Sequence, residues 1–218
     1  MGERSINSMT GKSSIDNHHR HGLRFYPGHL DRERQSAILD ELMPAIAEAP
    51  YLTPVMPRTG RPFTVRMTNL GSLGWVSDRA GYRYQPMHPE TGRPWPAIPE
   101  NILEIWRTLA DYPHDPEACL VNYYREGAKM GLHRDEDEED FSAPVVSISL
   151  GDTAIFRIGG EQRSGPSETL KLTSGDVLVL GGESRLRYHG IDRTLPGTST
   201  LVKDGGRINL TLRRVTRP

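Results

Sequence analysis

Residues 1–22 (MGERSINSMTGKSSIDNHHRHG) follow neither a period of 2 nor one of 3.6 and read as a disordered polar tail. In LDRERQSAILDELMPAIAEAP the period becomes helical: Ile38, Leu39, Leu42, Ala45 and Ile46 share one face, Asp31 is placed to cap it, and Pro50 marks its end. PENILEIWRTLADY repeats that spacing through Ile102, Leu103, Ile105, Trp106 and Leu109 and predicts a second helix. Between the two, residues 51–98 are broken by Pro and Gly around strand-like pieces such as FTVRMTN, which predicts a loop-and-hairpin elaboration of the kind that carries binding residues. From Cys119 onward the pattern is β. CLVNYY, VVSISL, AIFRI, TLKL, DVLVLG and RINLTLRR are short β-branched or alternating runs parted by turn residues, as in a double-sheet sandwich or barrel. The expected organisation is the tail 1–22 and one domain over 23–218, with a lid at about 51–98 and a β-core at about 119–214.

Composition narrows the class. A chain of 218 residues is long enough to bury a core without staples, and its single cysteine, Cys119, excludes an internal disulfide or a Cys-rich zinc site. A reducing, cytoplasmic setting fits that usage, and no apolar run is long enough for a membrane span. The net charge of −1 argues against coating nucleic acid by bulk electrostatics. Local balances differ. Residues 57–84 carry Arg58, Arg61, Arg66, Arg79 and Arg83 against Asp78, interleaved with Phe63, Trp75, Tyr82 and Tyr84, the mixture that single-strand binding and base flipping need. His18, His19 and His21 are read as part of the tail and not as ligands, and Glu138 and Glu139 as solvated charges.

His133 and Asp135 in GLHRDED are two apart, so an extended backbone projects both from one face. His189 in RYHGI follows DVLVLGG and a turn. Two imidazoles and one carboxylate form the facial triad that leaves positions open on iron. HxD alone is weak, and a further histidine adds little in a chain with 8 of them. The C-terminal strand RINLTLRR adds independent weight: Arg207, Asn209, Thr211 and Arg213 alternate with Ile208, Leu210 and Leu212. That polar face is either wet or lines a barrel lumen, where a fixed arginine fork can clamp a dicarboxylate. Asn122 and Tyr124 on CLVNYY present polar groups in the same sense.

VNYYREGAKMGLHRDEDEEDFSAPVVSISLGDTAIFRIGG, SGDVLVLGGESRLRYHGI and RINLTLR, extended back through MTNLGSLGWVSDRAGYRYQPMHPETGRPWPAIP, resemble the AlkB family of iron- and 2-oxoglutarate-dependent dioxygenases, in particular its bacterial alkylated-DNA repair members. The resemblance covers roughly residues 50–214 and implies a double-stranded β-helix, or jelly-roll, core with N-terminal helices and a nucleotide-recognition lid. It implies that His133, Asp135 and His189 hold Fe(II), that Arg207 pairs with the distal carboxylate of 2-oxoglutarate and Arg213 with the end near the metal, and that Asn122, Tyr124 and Asn209 hydrogen-bond the co-substrate. It further implies that a flipped base lies between His133 and Trp75, with Met67, Tyr82, Asp137 and Arg163 lining the pocket or touching the nucleotide. Leu180 stands where the bacterial repair members have a tryptophan.

The implied reaction is oxidative demethylation of N-alkylated bases of the 1-methyladenine and 3-methylcytosine type. Dioxygen and 2-oxoglutarate are consumed, and formaldehyde, succinate and CO₂ are released. Single-stranded DNA is the preferred substrate, with duplex DNA and RNA left open, and the enzyme is expected to act as a monomer in DNA repair. Asp137, beside the metal, would favour a cationic base over its neutral parent. Two alternatives remain: an oxygenase of a small molecule or protein side chain with the same iron core, which the Arg-rich aromatic lid disfavours, and a non-catalytic metal-binding jelly roll, which the Arg207–Arg213 strand disfavours.

Overall fold

The structure, a computed structural model, describes residues 19–20 and 22–218. Of the tail read over 1–22, the remainder lies outside the described residues. His19–Arg20 (β1) pairs with Leu23–Tyr26 (β2), and β2 in turn adds to Val177–Leu180 (β11). The segment next to residue 23 thus contributes an edge to the main sheet.

Arg32–Glu48 (α1) begins where Asp31 accepts a hydrogen bond from the Arg34 amide at 2.9 Å, the cap expected from the sequence. Glu100–Leu109 (α2) buries Ile102, Ile105, Trp106 and Leu109, and the Trp106 indole N–H reaches the His114 carbonyl at 3.0 Å. Both helices pack on a seven-stranded sheet of order β1-β2-β11-β8-β13-β6-β3, built with Arg66–Gly71 (β3), Ala118–Tyr124 (β6), Val145–Gly151 (β8) and Arg207–Arg213 (β13). A four-stranded sheet, β10-β9-β12-β7, comprises Met130–His133 (β7), Thr153–Ile158 (β9), Glu168–Leu172 (β10) and His189–Leu195 (β12).

The alternation of the strands dictates how these layers stack. Cys119 and Val121 of β6, Val146, Ile148 and Leu150 of β8, and Ile208, Leu210 and Leu212 of β13 face the helices. On the opposite face Leu120 and Tyr124 of β6, Val145 of β8 and Leu178 and Leu180 of β11 meet Ala154, Phe156 and Ile158 of β9 and Ile191 of β12. The two facing antiparallel sheets make a double-stranded β-helix. A one-residue slip of β13 would drive the Arg207 and Arg213 guanidiniums into the helix-packed core, so its register is strongly specified. Among the described residues no helix is long and apolar enough to cross a membrane.

The expected loop-and-hairpin region contains β3 and the hairpin Gly74–Asp78 (β4) and Gly81–Gln85 (β5). At its tip Arg83 grips Asp78 through both carboxylate oxygens, at 3.0 and 2.8 Å. Strand β12 had no clear signature in the sequence. Its HGIDRTL run carries Asp192, which pairs with Arg157 of β9 at 2.6 Å, so cross-strand charge replaces the apolar alternation that marks other strands.

Candidate functional site

His133 ends β7 and His189 opens β12, and the two strands pair with these residues directly opposite, ring centroids 4.6 Å apart. Asp135 lies two residues beyond β7, with Oδ2 3.8 Å from His189 Nε2. One potential ligand atom from each of the three lies within 4.8 Å of the others. Nδ1 of His133 meets the Gly131 carbonyl at 2.9 Å, and Nδ1 of His189 meets the Arg187 carbonyl at 3.0 Å. A carbonyl oxygen only accepts, so each Nδ1 carries the hydrogen and each Nε2 keeps its lone pair for an ion. Asp135 Oδ2 is buried without a hydrogen-bond partner, a cost that a bound cation removes. This donor set fits Fe(II) and leaves coordination positions for other ligands.

The surroundings set the protonation states. Burial pushes the Asp135 carboxyl up, but the Arg213 guanidinium, backed by His189, His133 and Arg185, overrides it and holds the group well below the usual carboxylate range. Arg213 Nη2 donates to Asp135 Oδ1 at 2.9 Å. Burial, and then the neighbouring His133, lowers His189 to about 4 against the pull of Asp135. At neutral pH the cluster therefore offers an ionised carboxylate and, at His189, a neutral imidazole, the states a metal requires.

Two cavities meet at the cluster and share Met130, His133 and Arg213. The tighter, about 50 Å³, enters the lumen and is lined by Tyr124, Arg207, Asn209 and Arg213 of the predicted co-substrate set, together with Ser147 and Thr211. Arg207 is 1% exposed; its Nη2 donates to Ser149 Oγ at 3.0 Å, its guanidinium lies over the Tyr124 ring, and Nε and Nη1 have no partner. Burial lowers its pKa, with Tyr124 opposing. A buried cation with open donors fits one carboxylate of a dicarboxylate. Asn122 pairs across strands with Asn209 and keeps a buried, unpartnered Oδ1, although it is not on the cavity wall. The Asn209 amide is engaged by its own sheet, donating to Ser147 Oγ and the Ile148 carbonyl and accepting from Thr211.

The wider cavity, about 240 Å³, is lined by Met67, Trp75, Asp137 and Arg163 of the predicted substrate set, with Phe63, Tyr84, Arg134 and Glu138 beside them. Trp75 Nε1–H donates to Asp137 at 2.7 Å, which fixes the indole facing the cluster. Tyr82 is not on this wall. Its ring stacks on Trp75 with centroids 5.5 Å apart and half of its surface exposed, behind the indole that lines the pocket.

The reading of Glu138 as a solvated charge is overturned. Glu138 is 5% exposed, pairs with Arg185 at 3.0 Å and accepts the Tyr84 hydroxyl. Glu139 is exposed, as expected. Sequence reasoning passed over Arg185, Ser147 and Ser149, and it placed Tyr84 among the lid aromatics and Thr211 on the polar face of β13 without giving either a role. The hydroxyls of Ser147 and Ser149 could have been found, because they alternate with apolar residues along β8; a buried ion pair between distant segments leaves no local period.

The 2OG-Fe(II) oxygenase superfamily model matches residues 22–213. The chain is 54% identical over 193 residues to the alpha-ketoglutarate-dependent dioxygenase AlkB homolog of Caulobacter vibrioides, covering 88% of this chain and 87% of the relative. It is 45% identical over 181 residues to alpha-ketoglutarate-dependent dioxygenase AlkB of Escherichia coli, covering 81% and 83%. Among solved structures, that of OsALKBH1 superposes with a TM-score of 0.74 at 33% identity, over 89% of this chain and 99% of the other.

Proposed function

The chain belongs to the 2OG-Fe(II) oxygenase superfamily and, within it, to the AlkB dioxygenases, and from that premise we propose that it oxidatively removes N-linked methyl groups from cationic bases of the 1-methyladenine and 3-methylcytosine type, preferably in single-stranded DNA. The observation that carries this reading is the meeting of two unlike cavities at one three-ligand cluster: a narrow lumen lined by a buried, under-bonded arginine, and a wider pocket walled by an aromatic lid. Two more distant relatives are named as a DNA N(6)-methyladenine demethylase and a tRNA demethylase, which supports a nucleic-acid substrate and keeps RNA within the class.

His133, Asp135 and His189 would hold Fe(II), and Arg207 with Tyr124 would anchor the far carboxylate of 2-oxoglutarate. When bound, the metal with 2-oxoglutarate and dioxygen supplies the oxidation of the N-methyl carbon, with succinate and CO₂ as co-products and formaldehyde leaving as the base is restored. The protein's own part is placement. Trp75 and the His133 ring offer two faces for an unstacked base, a requirement of any chemistry on a flipped nucleotide. Asp137, fixed by Trp75, places a carboxylate where a cationic base gains and its neutral parent does not. Glu138 adds little of this, because Arg185 and Arg213 already balance its charge. The core and its lid would act as one domain over 23–218, as a monomer in the cytoplasm.

Mass spectrometry of a 3-methylcytosine oligonucleotide incubated with Fe(II), 2-oxoglutarate and O₂ tests the reading. Loss of one methyl by the wild type and none by His133→Ala is expected. Turnover of 2-oxoglutarate that no alkylated oligonucleotide stimulates would point to a small-molecule or protein substrate.

A further inference from the structure

Four side chains from separate elements converge behind the proposed metal ligands: Tyr84 of β5, Glu138 after Asp135, Arg185 after the short 3₁₀ turn Gly182–Ser184, and Arg213 at the end of β13. Arg185 is 3% exposed and lines neither cavity. Its whole fork is spent on one loop: Nε donates to the Ala143 carbonyl at 2.9 Å, Nη1 to the Asp135 carbonyl at 2.7 Å, and Nη2 to Glu138 Oε2 at 3.0 Å. The same loop takes both contacts from the lid hairpin, Trp75 to Asp137 and Tyr84 to Glu138. One guanidinium therefore fixes the backbone that carries a metal ligand and Glu138, one of the two carboxylates that dock the lid.

We propose that Arg185 is a positioning residue that sets affinity for two ligands it does not touch: the divalent metal, through the Asp135 backbone, and the methylated strand, through Glu138 and its hydrogen bond to Tyr84. The proposal rests on the reading of His133, Asp135 and His189 as metal ligands. The two effects are separable, because the Tyr84 hydroxyl is on the lid branch alone. Lysine at position 185 keeps the positive charge that Glu138 needs but cannot make three diverging bonds from a fork.

The test uses the full chain with Mn(II), which binds without turnover, 2-oxoglutarate and a 3-methylcytosine oligonucleotide. Arg185→Lys is expected to weaken Mn(II) about ten-fold, the cost usual for losing an outer-shell partner, and, at saturating Mn(II), to weaken the oligonucleotide about five-fold. Tyr84→Phe is expected to weaken the oligonucleotide by a similar factor and to leave Mn(II) unmoved. Thermal melts of each variant separate these effects from loss of fold. An Arg185→Lys protein that melts lower yet binds both ligands within two-fold of wild type would reduce Arg185 to a structural brace and overturn the proposal. If Arg185→Lys does not fold, Tyr84→Phe decides: an unchanged oligonucleotide affinity overturns the lid branch. Asp135→Ala is the separate control. Mn(II) affinity equal to wild type in that variant would sink the metal reading itself, and the proposal with it.

Discussion

Arg207 and Arg213 stand six residues apart on one face of β13, both almost wholly buried, and the protein treats them oppositely. Arg213 is answered from within: Asp135 at 2.9 Å and Glu138 at 3.5 Å surround it, and burial, which would lower its pKa, is outweighed by Asp135, Tyr84 and Glu138, so the pKa rises. Arg207 has an aromatic face and one serine hydroxyl, no carboxylate, and two donor nitrogens left open; its pKa falls. Burial alone does not tell architecture from binding site. The missing counter-charge is the distinguishing sign, because a buried, under-bonded guanidinium carries a desolvation cost that a bound carboxylate would remove.

The largest test of this contrast is Arg213→Met, which strands the buried Asp135 carboxylate and leaves Glu138 to Arg185 and Tyr84. It is expected to cost about 3–5 kcal/mol in urea unfolding of the metal-free protein. Acid should dismantle the same end. His189 titrates at about 4 folded against 6.5 for a free imidazole, so below pH 6.5 the unfolded chain takes the proton first. This contribution is complete above pH 6.5 and is lost as pH falls toward 4, up to about 3 kcal/mol, and His189→Gln should flatten that slope. Asp135, whose pKa is depressed, adds a further loss only at more acidic pH. On the lid, Tyr82→Ala removes the stack behind Trp75 and should weaken oligonucleotide binding by about 1 kcal/mol, with 2-oxoglutarate affinity unchanged. The smallest effect belongs to Asp137→Asn. This exposed carboxylate should change the preference for methylated over unmodified oligonucleotide by about three-fold.

The strand that carries the comparison is legible in the sequence, because strict alternation in RINLTLR states which residues share a face. The His133–Asp135 spacing was legible for the same reason, and the distant His189 and the lid residues drew much of their weight from family resemblance. What stayed hidden is long-range. Glu138 sits in an acidic run indistinguishable from a solvated one until Arg185, 47 residues later, closes on it. Tyr82 and Trp75 belong to paired strands of one hairpin, but only the packing of that hairpin decides that Trp75 faces the metal cluster and Tyr82 backs it. Periodicity alone equates the two arginines, and the resemblance gave them opposite ends of 2-oxoglutarate; their neighbours, Ser149 and Tyr124 at Arg207 and Asp135 and Glu138 at Arg213, make the division of labour.

Arg207→Met measures that division directly. With the metal-free protein unfolded in urea and 2-oxoglutarate titrated anaerobically onto the Fe(II)-loaded protein, the account predicts stability equal to or above wild type and 2-oxoglutarate affinity weakened by about 100-fold or more. A stability loss like that of Arg213→Met, with 2-oxoglutarate still bound at wild-type affinity, would contradict it.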